Sequence, residues 1–256
     1  MNRRRIAVLL GIGAVAGLFS SVFGVGGGVL VVPLLMAFVS LDTRAATATS
    51  LAAIVITSVF GTIGHGALGD VEWTHALLIG VPAMLGVTLG VAVKRRLSSA
   101  HLTLGFAGLM VVVAALMAVG VTPRQSVGAG VLEYAAVALL GVLAGGIAGL
   151  FGVGGGVVFV PALTMLVGLS TLHATATSLL AIAPVAALGT WRQRADGEVR
   201  WREAAWVGAG SAVTALVGSR VAHDAPGTAL RLGFAAVLVF TAVRLTLSVR
   251  AARRAG

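Results

Sequence analysis

Cysteine is absent from this 256-residue chain, tyrosine occurs once, and the acids number only eight. Without cysteine there are no disulfides, no thiolate metal ligands and no thiol relay. Charged residues make up 10% of the chain, where an ordinary soluble domain carries about 25%, so a water-facing surface of normal extent is excluded. All eight acids, Asp42, Asp70, Glu72, Glu133, Asp196, Glu198, Glu203 and Asp224, fall in loops or at the ends of apolar segments. Na+ or H+ binding, or acid–base hydrolysis, calls for a carboxylate buried inside a span. Cation transport and membrane enzymology therefore lose weight, and neither a metal nor a cofactor is expected.

Hydrophobic residues fill the space that charge leaves: 58% of the chain, with a mean hydropathy of +1.05. Residues 6–41, 45–69, 73–93, 97–123, 134–191, 204–219 and 232–243 are free of charge. A membrane-spanning helix needs about 20 mostly apolar residues, so lipid is the solvent for most of this chain. The 36 glycines suit helices that approach closely, because contact between helices in lipid depends on small residues; Gly86 and Gly90 lie in GxxxG spacing. A net charge of +10 invites a nucleic-acid reading. That reading needs basic residues clustered on a soluble surface, and here they occupy short breaks between apolar spans. Residues 1–16, with Arg3 to Arg5 ahead of an apolar run and Ala14-Val15-Ala16 beyond, have the outline of a secretory signal. The same segment recurs mid-chain, where no signal peptide acts.

The recurrence is systematic. A shift of 128 residues lays GVGGG at Gly24–Gly28 on GVGGG at Gly152–Gly156, Pro33 on Pro161, and TATS at Thr47–Ser50 on TATS at Thr175–Ser178. Gly61 then falls on Gly189, Trp73 on Trp201, Gly90 on Gly218, and Leu104-Gly105-Phe106 on Leu232-Gly233-Phe234. Between 13–50 and 141–178, 21 of 38 positions are identical, which marks a duplication into units 1–128 and 129–256. The fold class expected is all-α and integral to the membrane, each unit having a Gly-broken helical hairpin and three spanning helices. The apolar segments run 6–40, 45–64, 74–93 and 102–120, with counterparts 134–168, 174–190, 204–219 and 230–248.

The first segment is anomalous. As one helix its 35 residues would measure about 52 Å against a hydrocarbon core of about 30 Å. Its glycines divide it into arms of about 18 and 12 residues, so a hairpin of short helices turning inside the membrane is expected. Charge bias agrees, because cytoplasmic loops collect Lys and Arg. A returning hairpin puts Arg3, Arg4, Arg5, Arg44, Lys94, Arg95, Arg96, Arg192, Arg194, Arg200, Arg202, Arg244, Arg250, Arg253 and Arg254 on one side and Arg124, Arg220 and Arg231 on the other, 15 against 3. A single crossing gives 12 against 6. Each unit then crosses an odd number of times, and the two copies are inverted, as in many secondary transporters.

Chemistry concentrates in the repeated motifs. Successive glycine N–H groups at the start of a helix offer an anion cradle without fixed charge; the alternative use of the glycines is a tight turn or close packing. A P-loop is excluded, since GK[ST] is missing. In TATS, Thr47 and Ser50 share one helical face, as do Thr175 and Ser178. These hydroxyls can donate to an anion or bond back to helix carbonyls. The residues expected at the site are Gly24, Gly26, Gly27, Gly28, Thr47, Thr49, Ser50, Gly152, Gly154, Gly155, Gly156, Thr175, Thr177 and Ser178, with Pro33 and Pro161 shaping the helices after the turns. His65 ends a span and His75, His101, His173 and His223 lie at span edges, where they read as interfacial residues rather than proton relays. Trp73, Trp191, Trp201 and Trp206 sit at borders where aromatic belts occur.

The paired FGVGGG-x4-P segments, each followed by TATS in a chain with duplicated apolar halves, resemble the TauE/SafE sulfite exporter family over nearly the whole length. The resemblance implies an inner-membrane carrier of small anions, in the class of sulfite, organosulfonates such as sulfoacetate, and related sulfur or carboxylate compounds. The charge bias implies cytoplasmic termini, and the doubled motif with the inverted charge pattern leads to an expectation of alternating access about a midplane site. Partners are then the anion and membrane lipid, with a homo-oligomer compatible and the coupling ion left open. An anion-selective channel using the same cradle and a non-transporting assembly protein are the alternatives.

Overall fold

The structure, a computed structural model, describes residues 1–119 and 131–226, together with 228, 232, 233 and 236. The expected span 230–248 apart from 232, 233 and 236, and the basic residues Arg124, Arg231, Arg244, Arg250, Arg253 and Arg254, lie outside the described residues. Among those described, every regular element is an α-helix: α1 (Arg3–Phe23), α2 (Gly28–Val39), α3 (Thr43–Ala67), α4 (Trp73–Lys94), α5 (Ser99–Val119), α6 (Val131–Phe151), α7 (Gly156–Met165), α8 (Thr171–Arg194) and α9 (Trp201–Asp224). Five of them, α1, α3, α4, α6 and α8, are long and apolar enough to cross a membrane. The chain is a multi-pass membrane protein.

Glycine stops α1. Gly24 takes the left-handed conformation at φ 70° and its N–H returns to the Ser20 carbonyl at 2.7 Å. Gly27, also left-handed at φ 80°, opens α2, and Gly152 and Gly155 repeat this between α6 and α7 at φ 69° and 89°. A side chain at these angles is strained, so glycine is required. The arms differ from expectation in one respect. Here α1 has 21 residues rather than about 18, about 31 Å and enough for a full crossing, whereas the 12 residues of α2 reach about 18 Å. One arm is therefore full length and the returning arm short, because the charged Arg3, Arg4 and Arg5 ahead of the apolar run are helical too.

Ion pairs identify the ends that share a face. Arg5 at the start of α1 pairs with Glu203 at 2.9 Å, and Arg44 at the start of α3 pairs with Glu198 at 3.5 Å. Glu198 also receives Lys94 from the end of α4, and Arg95 pairs with Asp196. The beginnings of α1, α3 and α9 and the end of α4 thus lie together, which requires α2 to return to the side from which α1 set out.

Small residues bring helices of different units side by side. Against α4, Gly141, Gly145 and Gly149 of α6 meet the Ile79, Ala83 and Val87 carbonyls, while Gly86 and Gly90 meet Val142 and Gly146. Against α9, Gly13 and Gly17 of α1 meet Val207 and Ser211. Residue numbers rise together along both pairs, so each pair is parallel. A side chain at any of these glycines would overlap the facing backbone. The opposite edge of α4, Trp73, Leu77, Val81, Leu85, Leu89 and Val93, is exposed at every fourth residue, the pattern of a lipid-facing stripe.

Candidate anion site at the crossing of two glycine turns

The two glycine turns touch. A Cβ on Gly28 would stand 2.6 Å from the Val153 Cα, and one on Gly156 would stand 2.7 Å from the Val25 Cα. Gly26 and Gly154 both face the same pair of side chains, Ile54 of α3 and Ile182 of α8. The glycine turns of both motifs thus share one region, the N-termini of α2 and α7. Val25, Gly26, Gly27, Gly28 and Val29 are buried, as are Val153, Gly154, Gly155, Gly156 and Val157. Among the described residues, no hydrogen bond is made by the backbone N–H of any of the ten. Such groups are normally paired when buried, and here they collect at the positive ends of two helix dipoles. No Lys, Arg or His lies in either turn.

The TATS hydroxyls divide by role. Ser50 donates to the Gly152 carbonyl at 2.9 Å, and Ser178 donates to the Gly24 carbonyl at 2.5 Å and to Thr175 at 2.8 Å. Each serine therefore pins the turn of the other unit, and its single proton is committed there. Thr47 donates back to the Arg44 carbonyl at 2.9 Å. Thr49 accepts the Arg200 N–H and Thr177 the Glu72 N–H, both at 3.0 Å, so they hold the residues that lead into α9 and α4. Accepting leaves the protons of Thr49 and Thr177 uncommitted. Thr175 is buried and its hydroxyl has no partner. Pro33 and Pro161 lie inside α2 and α7, whose helices continue through them.

Two polar clusters flank the crossing, and sequence reasoning missed both. Lys94 is 2% exposed and donates to the Arg44 carbonyl at 3.1 Å, to Glu198 at 2.8 Å and to the Gln193 side-chain oxygen. At the other end, His65 is wholly buried, with Nδ1 3.0 Å from Asp70 Oδ2 and Nε2 2.8 Å from the Ser21 carbonyl. His223 Nδ1 lies 3.0 Å from Asp70 Oδ1. Asp70 does lie in the loop between α3 and α4 but is buried there, at 3% exposed, and the interfacial reading is corrected for His65. The reason is tertiary: the end of α9 and the end of α1 close over a segment that the sequence places between two spans. A signal was available. Gln193 and Glu198 are the 128-residue counterparts of His65 and Asp70, so both units keep polar residues at both places.

Helices fit for crossing and a central pair of broken hairpins suit a membrane transporter, and the comparisons with known proteins agree. The chain belongs to the TauE/SafE sulfite exporter family, whose sequence profile matches residues 8–245. It is similar to a probable membrane transporter protein of Xylella fastidiosa (strain Temecula1), 30% identical over 205 residues that cover 78% of each chain. A probable membrane transporter protein of Haemophilus influenzae is 28% identical over 94% of this chain and 98% of its own. One of Methanocaldococcus jannaschii is 28% identical over 62% of each.

Proposed function

We propose that the chain carries a small anion, sulfite or an organosulfonate, by alternating access, with the anion seated against the two glycine turns near the bilayer midplane. The observation that carries this reading is the set of ten buried backbone N–H groups, unpaired among the described residues, at the facing N-termini of α2 and α7. An oxyanion supplies several acceptor oxygens for such donors, and partial dipole charge holds it without the deep trap that a buried Arg or Lys would make. The uncommitted hydroxyls of Thr49, Thr175 and Thr177 are the side-chain donors that join them. Because the turns touch at Gly28 and Gly156, the anion seats beside that contact, and its passage requires the turns to part. Units 1–128 and 129–256 are read as inverted repeats. In support, α1 is parallel to α9 and α6 is parallel to α4, while α9 starts and α4 ends at the same face. The basic face and both termini are assigned to the cytoplasmic side of the inner membrane.

Flux of radiolabelled sulfite and sulfoacetate into proteoliposomes tests the reading. Gly27→Val with Gly155→Val should lower both fluxes by about tenfold or more, equivalent to about 1.4 kcal/mol or more in the transported state, in protein that remains monodisperse and helical. Undiminished transport by that folded variant would overturn the cradle.

A further inference from the structure

We propose that His65, Asp70 and His223 form a proton-binding site at the face opposite the basic loops, and that loss of its proton unlocks that face, making anion passage depend on pH. The effect on flux rests on the transport reading above; the binding of the proton does not.

Hydrogen bonding determines how many protons the cluster must hold. The Ser21 carbonyl can only accept, so the His65 Nε2 facing it at 2.8 Å must carry hydrogen. The other ring nitrogen faces a carboxylate oxygen of Asp70 at 3.0 Å. A contact of that length needs a second proton, either on Nδ1 or on the carboxyl. The closed arrangement therefore holds one proton more than a neutral imidazole beside an ionised carboxylate. Losing it places a lone pair against an anion in a site where His65 is 0% and Asp70 3% exposed. One of the two His65 contacts must then break.

The contacts at stake are those that close this end of the molecule. Ser21 is three residues before Gly24, and its carbonyl is one of the unpaired C-terminal carbonyls of α1, where positive charge is favoured. Asp70 lies in the segment from α3 to α4. His223 belongs to α9, in the second unit. Its side chain is 40% exposed, which gives the proton a route to water. Among the described residues, α1 contributes no titratable group near Ser21, the α3–α4 segment contributes Asp70 and Glu72, α4 and α8 carry His75 and His173 in their first turns, and α9 contributes His223, with Arg220 and Asp224 exposed and forming no ion pair. The counterpart cluster of Lys94, Gln193 and Glu198 ties the other face with a lysine. One face is thus fastened through a lysine paired with a carboxylate, and the other through imidazoles on a carboxylate.

Full-length protein in lipid nanodiscs and proteoliposomes tests this. In 15N-histidine spectra followed as the pH is raised, the His65–Asp70 pair should lose one proton, with a changed midpoint in Asp70→Asn. A His65 spectrum that is constant from about pH 5 to 8.5, in either protonation form, overturns the proposal. Sulfoacetate flux, with equal pH on both sides, should rise with pH through the same midpoint, by no more than about tenfold per unit, the limit for one proton. Both sulfoacetate groups stay ionised over this range, so the change belongs to the protein. His65→Gln, which installs the residue the second unit carries at this place, and Asp70→Asn should each flatten the profile. A wild-type profile in either folded variant overturns the coupling. If the wild type moves no sulfoacetate at any pH, the transport reading fails for this anion and the histidine spectra alone decide the proton site.

Discussion

Ser178 and Thr175 stand three residues apart on one face of α8, yet they divide the work of the motif. The Ser178 hydroxyl is bonded to the Gly24 carbonyl across the two units, so Ser178→Ala should destabilise the protein by about 1 kcal/mol, read as a lower thermal midpoint in detergent. The Thr175 hydroxyl has no partner and is buried. Thr175→Val keeps the shape and removes an unpaired donor, so stability should hold or rise by up to about 1 kcal/mol, while sulfite affinity, measured by isothermal titration, falls. Equal destabilisation by both substitutions would contradict this division. Both residues were marked by the duplicated TATS, but their separate roles were not legible. The partner of Ser178 is 154 positions away, and the 128-residue offset that aligns the motifs does not say that each serine reaches the other copy's turn.

Helices show the same partial legibility. Glycine runs located the hairpin, because a left-handed turn leaves a trace in composition; the length of α1 did not follow, since the helix also takes in Arg3, Arg4 and Arg5, which stand outside the apolar run. The GxxxG at Gly86 and Gly90 was visible, but its partner α6 is a matter of tertiary packing. Its consequence is strong. A side chain at Gly86 would overlap the Val142 carbonyl oxygen, whereas Gly11 of α1 and Gly66 of α3 have nothing within 4 Å of an added Cβ. Gly86→Leu should therefore cost about 3 kcal/mol or leave the protein unfolded. Gly11→Ala should be neutral or stabilising, by up to about 1 kcal/mol through helix propensity. Parallel melting curves of the two variants test the pair, and similar curves would mean that α4 and α6 do not pack as described.

At the scale of the whole molecule, two clusters 128 residues out of phase fasten opposite ends, each joining an end of one unit to the α-helical end of the other. The duplication could be read by eye; the clusters could not, because burial of Lys94 and Asp70 depends on which helix end arrives above them. The lysine cluster carries the larger energetic stake. Lys94 is 2% exposed, with Glu198 as its ionic partner, and a buried charge left unpaired costs about 3 to 5 kcal/mol. Glu198→Gln leaves the cation with neutral acceptors and should lower stability by an amount approaching that range. Adding Lys94→Met removes the stranded charge, so the double variant should recover most of the loss. Asp196→Asn supplies the contrast, because its partner Arg95 is 51% exposed and such a pair contributes at most about 1 kcal/mol. Denaturation of the three variants at neutral pH gives the order expected: Glu198→Gln lowest, the double variant above it, and Asp196→Asn near the wild type. If the double variant is no more stable than Glu198→Gln, the pair acts by shape and not by charge.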